Sequence, residues 1–474
     1  MMRKMPGKKG QFHTSFSRSN VRAVLVITSL TLFLLSGVFT RPIAYGQGVS
    51  PKSSETNSFE LRNTFIEWLN AMKDAITDEY YDPKYHGIDL NARFGQAITS
   101  INRSDYDWQM FRVLAQIMME FDDAHTSLIL PPRKEHFDYG FSMQMVGSDC
   151  LVTGVTKGSD ADKAGLEAGD KIVKVEDLEP DRSNLWKLFF ILYSLAPVDP
   201  LELTVKKENK PAATLKIIPR KIPHKQYLEE RKKRKDQEKS EPAKCTELNK
   251  EIIACKLYTF EAEKGDIDKM MKLVAGHSHL ILDLRGNAGG LVTMEEYLTG
   301  YVFDHDVKML DLIRRKKTEE RVAKSKGKDA FNGDLIVLVD SESASASEIF
   351  ARVVQLQKRG KVIGDVTGGF VMTSVPITLL RYKQNFGYNT KVFPLSISLS
   401  VGDVVMSDGA RLEKKGVIPD IAVIPTASDL KNGLDPAMAA AANTFGLKLS
   451  PEDAGKMRFL KSVANQEDLQ LDQP

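Results

Sequence analysis

Two short apolar runs, Leu280-Ile281-Leu282-Asp283-Leu284 and Leu335-Ile336-Val337-Leu338-Val339, constrain this chain more than any other feature. Each is too short for a buried helix and too continuously aliphatic for a half-exposed strand, so each reads as a strand covered on both faces. Each opens into small residues and then a helical pattern. The first leads into Arg285-Gly286-Asn287-Ala288-Gly289-Gly290, and the second into Asp340-Ser341-Glu342 followed by Ser343-Ala344-Ser345-Ala346-Ser347-Glu348-Ile349. Consecutive buried strands with intervening helices predict an α/β core, spanning about residues 251–445 and closed by the Ala-rich segment Pro436–Phe445. A polar tail, 446–474, follows.

The preceding texture is different. Residues 57–132 carry helical spacing, as in Phe65, Trp68, Met72 and Ile76 and again in Phe111, Leu114, Ile117 and Met118. This helical unit ends at Asp122-Asp123-Ala124-His125-Thr126, before a short apolar run and Pro131-Pro132. Residues 133–222 change to short strand-like runs (FSMQMV, CLVTGVT, KIVKVED, LELTVKK) around the small-residue segment Asp160–Asp170. Residues 223–250 mix both charges among helix-forming residues and predict a solvated helical connector.

The first 46 residues hold seven basic residues and no acid, and an uncharged 17-residue run, Ala23–Phe39, follows Arg22. This is a signal-peptide pattern, with Ala44-Tyr45-Gly46 offering small residues for cleavage after Gly46; an uncleaved anchor, associating the chain with a membrane, is the alternative. Either reading puts residues beyond a short linker, 47–56, in a periplasmic or other extracytoplasmic space, or secretes them. Removing the leader turns the formal charge of +3 mildly negative, so a nucleic-acid partner is not expected. The three cysteines are too few for a disulfide-built scaffold: Cys150 reads as a buried thiol, and Cys245 and Cys255 are free to pair with each other. No His/Cys cluster has structural-zinc spacing, and no metal or organic cofactor is expected.

Two constellations carry chemistry. Serines at the start of a helix meet its unpaired N–H groups and positive dipole end, where a nucleophile's developing charge is stabilised, although one such serine also serves as a plain cap. The glycines after Asp283 permit close backbone approach and aim N–H groups at a carbonyl oxygen or phosphate, but lack the spacing of a dinucleotide or ATP-binding loop.

The segment 133–222 resembles a PDZ domain through Ala164-Gly165-Leu166-Glu167-Ala168-Gly169-Asp170 before a strand, which implies that Tyr139-Gly140-Phe141 receives a peptide's terminal carboxylate on backbone N–H groups. Taken in order, DDAHT, this PDZ-like segment, DLRGNAGG, SASASEIF, Val362-Ile363-Gly364-Asp365-Val366-Thr367-Gly368 and Glu413-Lys414-Lys415-Gly416-Val417-Ile418-Pro419-Asp420 resemble the C-terminal processing (tail-specific) serine peptidases over about residues 57–445. The resemblance implies a ClpP/crotonase-like α/β core, a mixed sheet with helices, bearing an N-terminal helical unit and an inserted PDZ-like domain. It implies Ser345 as nucleophile, and an oxyanion hole from the N–H of Ala346 with that of Gly289 or Gly290. The best-known branch carries its lysine base 25 positions after the nucleophile, where this chain has Phe370, and no lysine lies between Lys361 and Lys383. A second branch uses a histidine and a late carboxylate, matched here by His125 and Glu413. The expectation is therefore an endopeptidase with a Ser345/His125/Glu413 triad, acting through an acyl-enzyme on unfolded or C-terminally exposed protein segments. A noncatalytic peptide-binding scaffold retaining the fold is the rival.

Overall fold

The computed structural model describes residues 55–240, 242–386 and 389–457. The leader, nearly all of the linker and the last part of the tail lie outside the described residues. Helices Glu55–Glu79, Leu90–Asn102 and Asp107–Glu120 pack through their apolar stripes. Phe65 and Phe111 meet edge to face at 4.9 Å between ring centres, with Trp68 against both. The chain then turns through Asp122, at positive φ, and enters the short strand β1 (Ser127–Ile129).

The next unit contains β2 (Glu135–Asp138), β3 (Phe141–Val146), β4 (Asp149–Val155), β5 (Lys171–Val175), β6 (Leu201–Lys206), β7 (Ala213–Ile217) and β8 (Arg220–Pro223). Strands β3 to β7 form an antiparallel sheet in sequence order, leaving β3 at an edge. Beside β3 lies the helix Leu185–Phe189, continued by a π-helical turn, Phe190–Leu195. Strands β2 and β8 pair separately, as a two-stranded stem through which the chain enters and leaves. The stem feeds the helix His224–Ser240.

The expected connector does not stay helical to its end. It becomes β9 (Ala243–Glu247), which joins the core sheet antiparallel to β10 (Ile252–Leu257) and is bonded to it by the disulfide Cys245–Cys255. Cys150 is free and buried. The core continues with β11 (His279–Asp283), β12 (Val307–Arg314), β13 (Thr318–Ala323), β14 (Asp334–Val339), β15 (Gly360–Gly364), β16 (Met372–Phe386), β17 (Asn389–Met406) and β18 (Ile421–Ala422). One sheet runs β18-β15-β14-β11-β10-β9, parallel except at β9. Side chains alternate across it, as the pleat requires. Leu280, Leu282, Leu335, Val337 and Val339 face helices Lys264–Val274, Val292–Val302 and Ala346–Leu356, while Ile281, Ile336 and Leu338 face the Ala-rich helix Pro436–Thr444. The expected tail contributes to this second face: helix Pro451–Lys456 buries Ala454 there.

A second sheet, β1-β17-β12-β13 with β16 along β17, places the functional loops. Because β1 pairs with β17 (Ser127 opposite Ser398), the segment just before β1 is carried against the core. The Thr126 hydroxyl accepts from Ser400 N–H, and Ser400 C=O accepts from Tyr81 N–H.

The Cys245–Cys255 bridge closes a short loop on an otherwise open edge strand. A Cys245→Ala, Cys255→Ala double variant should lose about 2–3 kcal/mol through the released loop entropy. The check is the urea midpoint followed by circular dichroism, and an unchanged midpoint would contradict it.

Candidate active site

The three serines after β14 have different tasks. Asp340 Oδ1 gathers the N–H groups of Glu342, Ser343 and Gly286, which closes the turn onto the glycine-rich loop after β11. Ser343 Oγ donates to Leu284 C=O at 2.8 Å and Ser347 Oγ to Asn287 C=O at 2.9 Å. Both hydroxyls are thus spent on binding the serine turn to the glycine-rich loop. Ser345, between them, sits at the mouth of helix Ala346–Leu356 with φ 54° and ψ −116°, a backbone region costly for any residue but glycine.

The glycine-rich loop lies directly on Ser345. A Cβ at Gly289 would come within 2.8 Å of Ser345 Cβ and 3.0 Å of Ala346 N, and one at Gly290 within 2.6 Å of the Phe260 carbonyl carbon. Gly289 N–H is bonded to Asn287 Oδ1, whose amide group in turn donates to Leu257 C=O. Ala346 N–H, the first of its helix, has no intrahelical acceptor. Of the two glycine N–H groups named from sequence, that of Gly290 has no acceptor among the described residues. Beneath the loop a buried ion network fixes its base: Arg285 is forked onto both Asp283 and Asp435, and Lys256 Nζ reaches Asp283 and Arg285 C=O.

Glu348 was not singled out from sequence, although three residues beyond Ser345 it stands where a capping-box carboxylate belongs. It is fully buried and accepts from Ser345 N–H (3.0 Å), Phe370 N–H (2.9 Å), Gly369 N–H (2.8 Å) and Thr367 Oγ1 (2.5 Å). Burial pushes its pKa up to about 7 while these donors pull it down. Thr367 Oγ1 also accepts from Val417 N–H, tying in the segment after Glu413.

His125 is buried, with its backbone N–H on Asp123 Oδ1, which fixes the turn before β1. Burial lowers the imidazole pKa, against the raising effect of Asp123, and its buried Nδ1 has no hydrogen-bond partner among the described residues. Glu413 accepts from Val371 N–H at 2.7 Å, and its pKa rises to about 8 through burial and then through the charge of Asp123. The structure thus brings Glu413 and His125 around Asp123, and Glu413 beside the loop that Glu348 holds to Ser345. Among the described residues, no hydrogen bond joins His125 to Ser345 or to Glu413. Asp122 accepts instead from Lys187 of the β-rich unit and from Lys414. The neighbouring carboxylates Asp403 and Asp408 are paired with Arg411 and Arg352.

In the β-rich unit, Tyr139 is buried and its hydroxyl is bonded to both backbone groups of Val198; Phe141 is also a core side chain. Gly140 N–H is held by Asp138 Oδ1 at 2.9 Å. Of the backbone N–H groups expected to receive a carboxylate, that of Gly140 is thus already engaged, and β3 lies at the edge of its sheet.

For Glu413 the folded-state pKa lies above that of a free carboxyl, so between about pH 4.5 and 8 the folded state keeps a proton the unfolded state releases, and stability falls as pH rises. Glu413→Gln should flatten that decline. Melting curves at pH 5, 6.5 and 8 that stay parallel to wild type would contradict the assignment.

Residues 252–423 match the sequence model of Peptidase family S41. The chain is 24% identical over 370 residues to a tail-specific protease of Haemophilus influenzae, covering 73% of this chain and 50% of that one. It is 23% identical over 341 residues to the carboxy-terminal processing protease CtpA of Bacillus subtilis, covering 67% and 65%. The chain therefore spans half to two-thirds of the length of these relatives. Among solved structures it is similar in fold to the photosystem II D1 C-terminal processing protease (19% identity, TM-score 0.50, covering 82% of this chain and 98% of that one). It is likewise similar to mature CPAF (12% identity, TM-score 0.61, covering 82% and 100%).

Proposed function

We infer, from a chain that belongs to peptidase family S41, a serine endopeptidase that cleaves unfolded or C-terminally exposed protein segments outside the cytoplasm. The observation that carries this reading is the division of labour among the serines: Ser343 and Ser347 anchor the turn, and Ser345 is left in a strained backbone at a helix N-terminus, with Gly289 packed on it.

In this mechanism Ser345 Oγ attacks the peptide carbonyl carbon while His125 takes its proton. The N–H groups of Ala346 and Gly290 receive the oxyanion. The imidazolium then protonates the leaving amine, and water, activated by the same imidazole, releases the acyl group from Ser345. Burial favours the neutral, basic imidazole at rest. Glu413 sits near neutrality as a carboxyl with a raised pKa, and positive charge forming on His125 favours its ionised form. Catalytic hydrogen bonds are commonly long before substrate binds, so the missing His125–Ser345 bond does not favour the scaffold reading. Export is supported by the leader pattern and by a disulfide, which persists in oxidising compartments.

Ser345→Ala and His125→Ala should each lower kcat/KM on the order of 10⁴-fold or more on an unfolded fluorogenic substrate, and Glu413→Gln by less. Activity of wild type should fall with decreasing pH as His125 is protonated, at a lower pH than a free imidazole would set, because burial holds its pKa down. Full activity in a folded His125→Ala protein would defeat the triad; a wild type that neither cleaves nor is labelled at Ser345 by a fluorophosphonate would establish the scaffold instead. N-terminal sequencing of exported material should begin near Gln47, and an intact Met1 in a cytoplasmic fraction would refute export.

A further inference from the structure

An apolar pocket lies against the serine turn and is built from both units. Met143 and Met145 of the edge strand β3 and Trp186 and Phe189 of the adjacent helix form one wall; Ala344 and Phe370 form the other. Ala344, which precedes Ser345, and Ala288, which precedes Gly289, both line it, so the pocket adjoins the serine turn and the glycine-rich loop.

Both walls are registered to that nucleophile by hydrogen bonds. Phe370 N–H and Ser345 N–H donate to the same oxygen, Oε2 of Glu348. On the other side, Ser341 Oγ donates to Met145 C=O at 2.5 Å and Gln144 Nε2 to Asp340 Oδ2 at 3.0 Å. Arg182, at the pocket's polar end, is committed to Asp365 Oδ2 and to the carbonyls of Val366 and Gly147.

We propose that this composite pocket seats the side chain of the substrate residue next to the scissile bond, that it selects a mid-sized aliphatic side chain, and that Phe370 and Trp186, one from each unit, determine that selection. The proposal rests on the peptidase reading and names its substrate class. An acidic side chain would lose its hydration against the methionine, phenylalanine and tryptophan walls and would meet Glu342, which also lines the pocket. The cavity, open on one side, measures about 90 Å³, less than the roughly 150 Å³ apolar cavity that accepts a benzene ring. That volume suits Leu, Met, Ile or Val and is smaller than an aromatic ring needs. Alanine leaves it unfilled, and each missing methylene in such a pocket costs roughly tenfold or more in kcat/KM.

The test uses the full chain. Fluorogenic peptides differing only at one of the two residues flanking the scissile bond are compared, and cleavage sites in reduced, carboxymethylated casein are mapped by mass spectrometry. At one flanking position, Leu should exceed Ala, Phe and Asp by roughly tenfold or more in kcat/KM. Phe370→Ala should raise Phe-containing peptides relative to Leu by about the same factor, with Phe370→Leu moving the ratio in the same direction if the alanine variant folds poorly. Trp186→Ala should alter preference at that same position. A flat wild-type profile, or preferences unchanged in the Phe370 and Trp186 variants while each still cleaves and is labelled at Ser345, overturns this proposal alone. No cleavage and no fluorophosphonate labelling by wild type overturns the peptidase reading and this proposal with it.

Discussion

A single buried carboxylate, Glu348, holds the serine turn in register with everything around it. Four donors converge on its two oxygens, from the nucleophile's own backbone, from Thr367 and from the Gly369 and Phe370 amides. Charge-assisted bonds of this kind are short and strong, and inside the protein they are not diluted by water. Without them the positive φ at Ser345 would relax, because a strained residue persists only where its surroundings over-determine it. The raised pKa of Glu348 records the desolvation that this arrangement costs.

The two remaining members of the proposed triad arrive by a different route. His125 belongs to the N-terminal helical region and Glu413 to the segment after β17, and pairing of β1 with β17 brings the first toward the second. One strand therefore positions both loops, from opposite directions along the chain. Asp123 then serves the turn locally, through His125 N–H and the Thr126 hydroxyl, and acts electrostatically on both His125 and Glu413. Asp122, its neighbour in sequence, faces elsewhere and ties Lys187 and Lys414 together. The two adjacent aspartates, equivalent on sequence grounds, thus have separate roles.

Local pattern determined the core strands, the glycine-rich loop, the serine turn and the helical stripe from Phe65 to Ile76, because strand and helix periods and the conformational needs of glycine are written residue by residue. It also limited the chemistry, since a serine run at a helix mouth beside a glycine turn suits an oxyanion; that Phe370 stands where a lysine base would be is what the family resemblance implies. What only the tertiary structure decided involves partners distant in sequence. Which serines are spent on the glycine-rich loop depends on carbonyls at Leu284 and Asn287, about 60 positions away. The joining of β9 to the core sheet, the role of Glu348, and the pocket shared by Trp186 and Phe370 likewise arise from strand pairing and packing between segments that carry no local mark of one another.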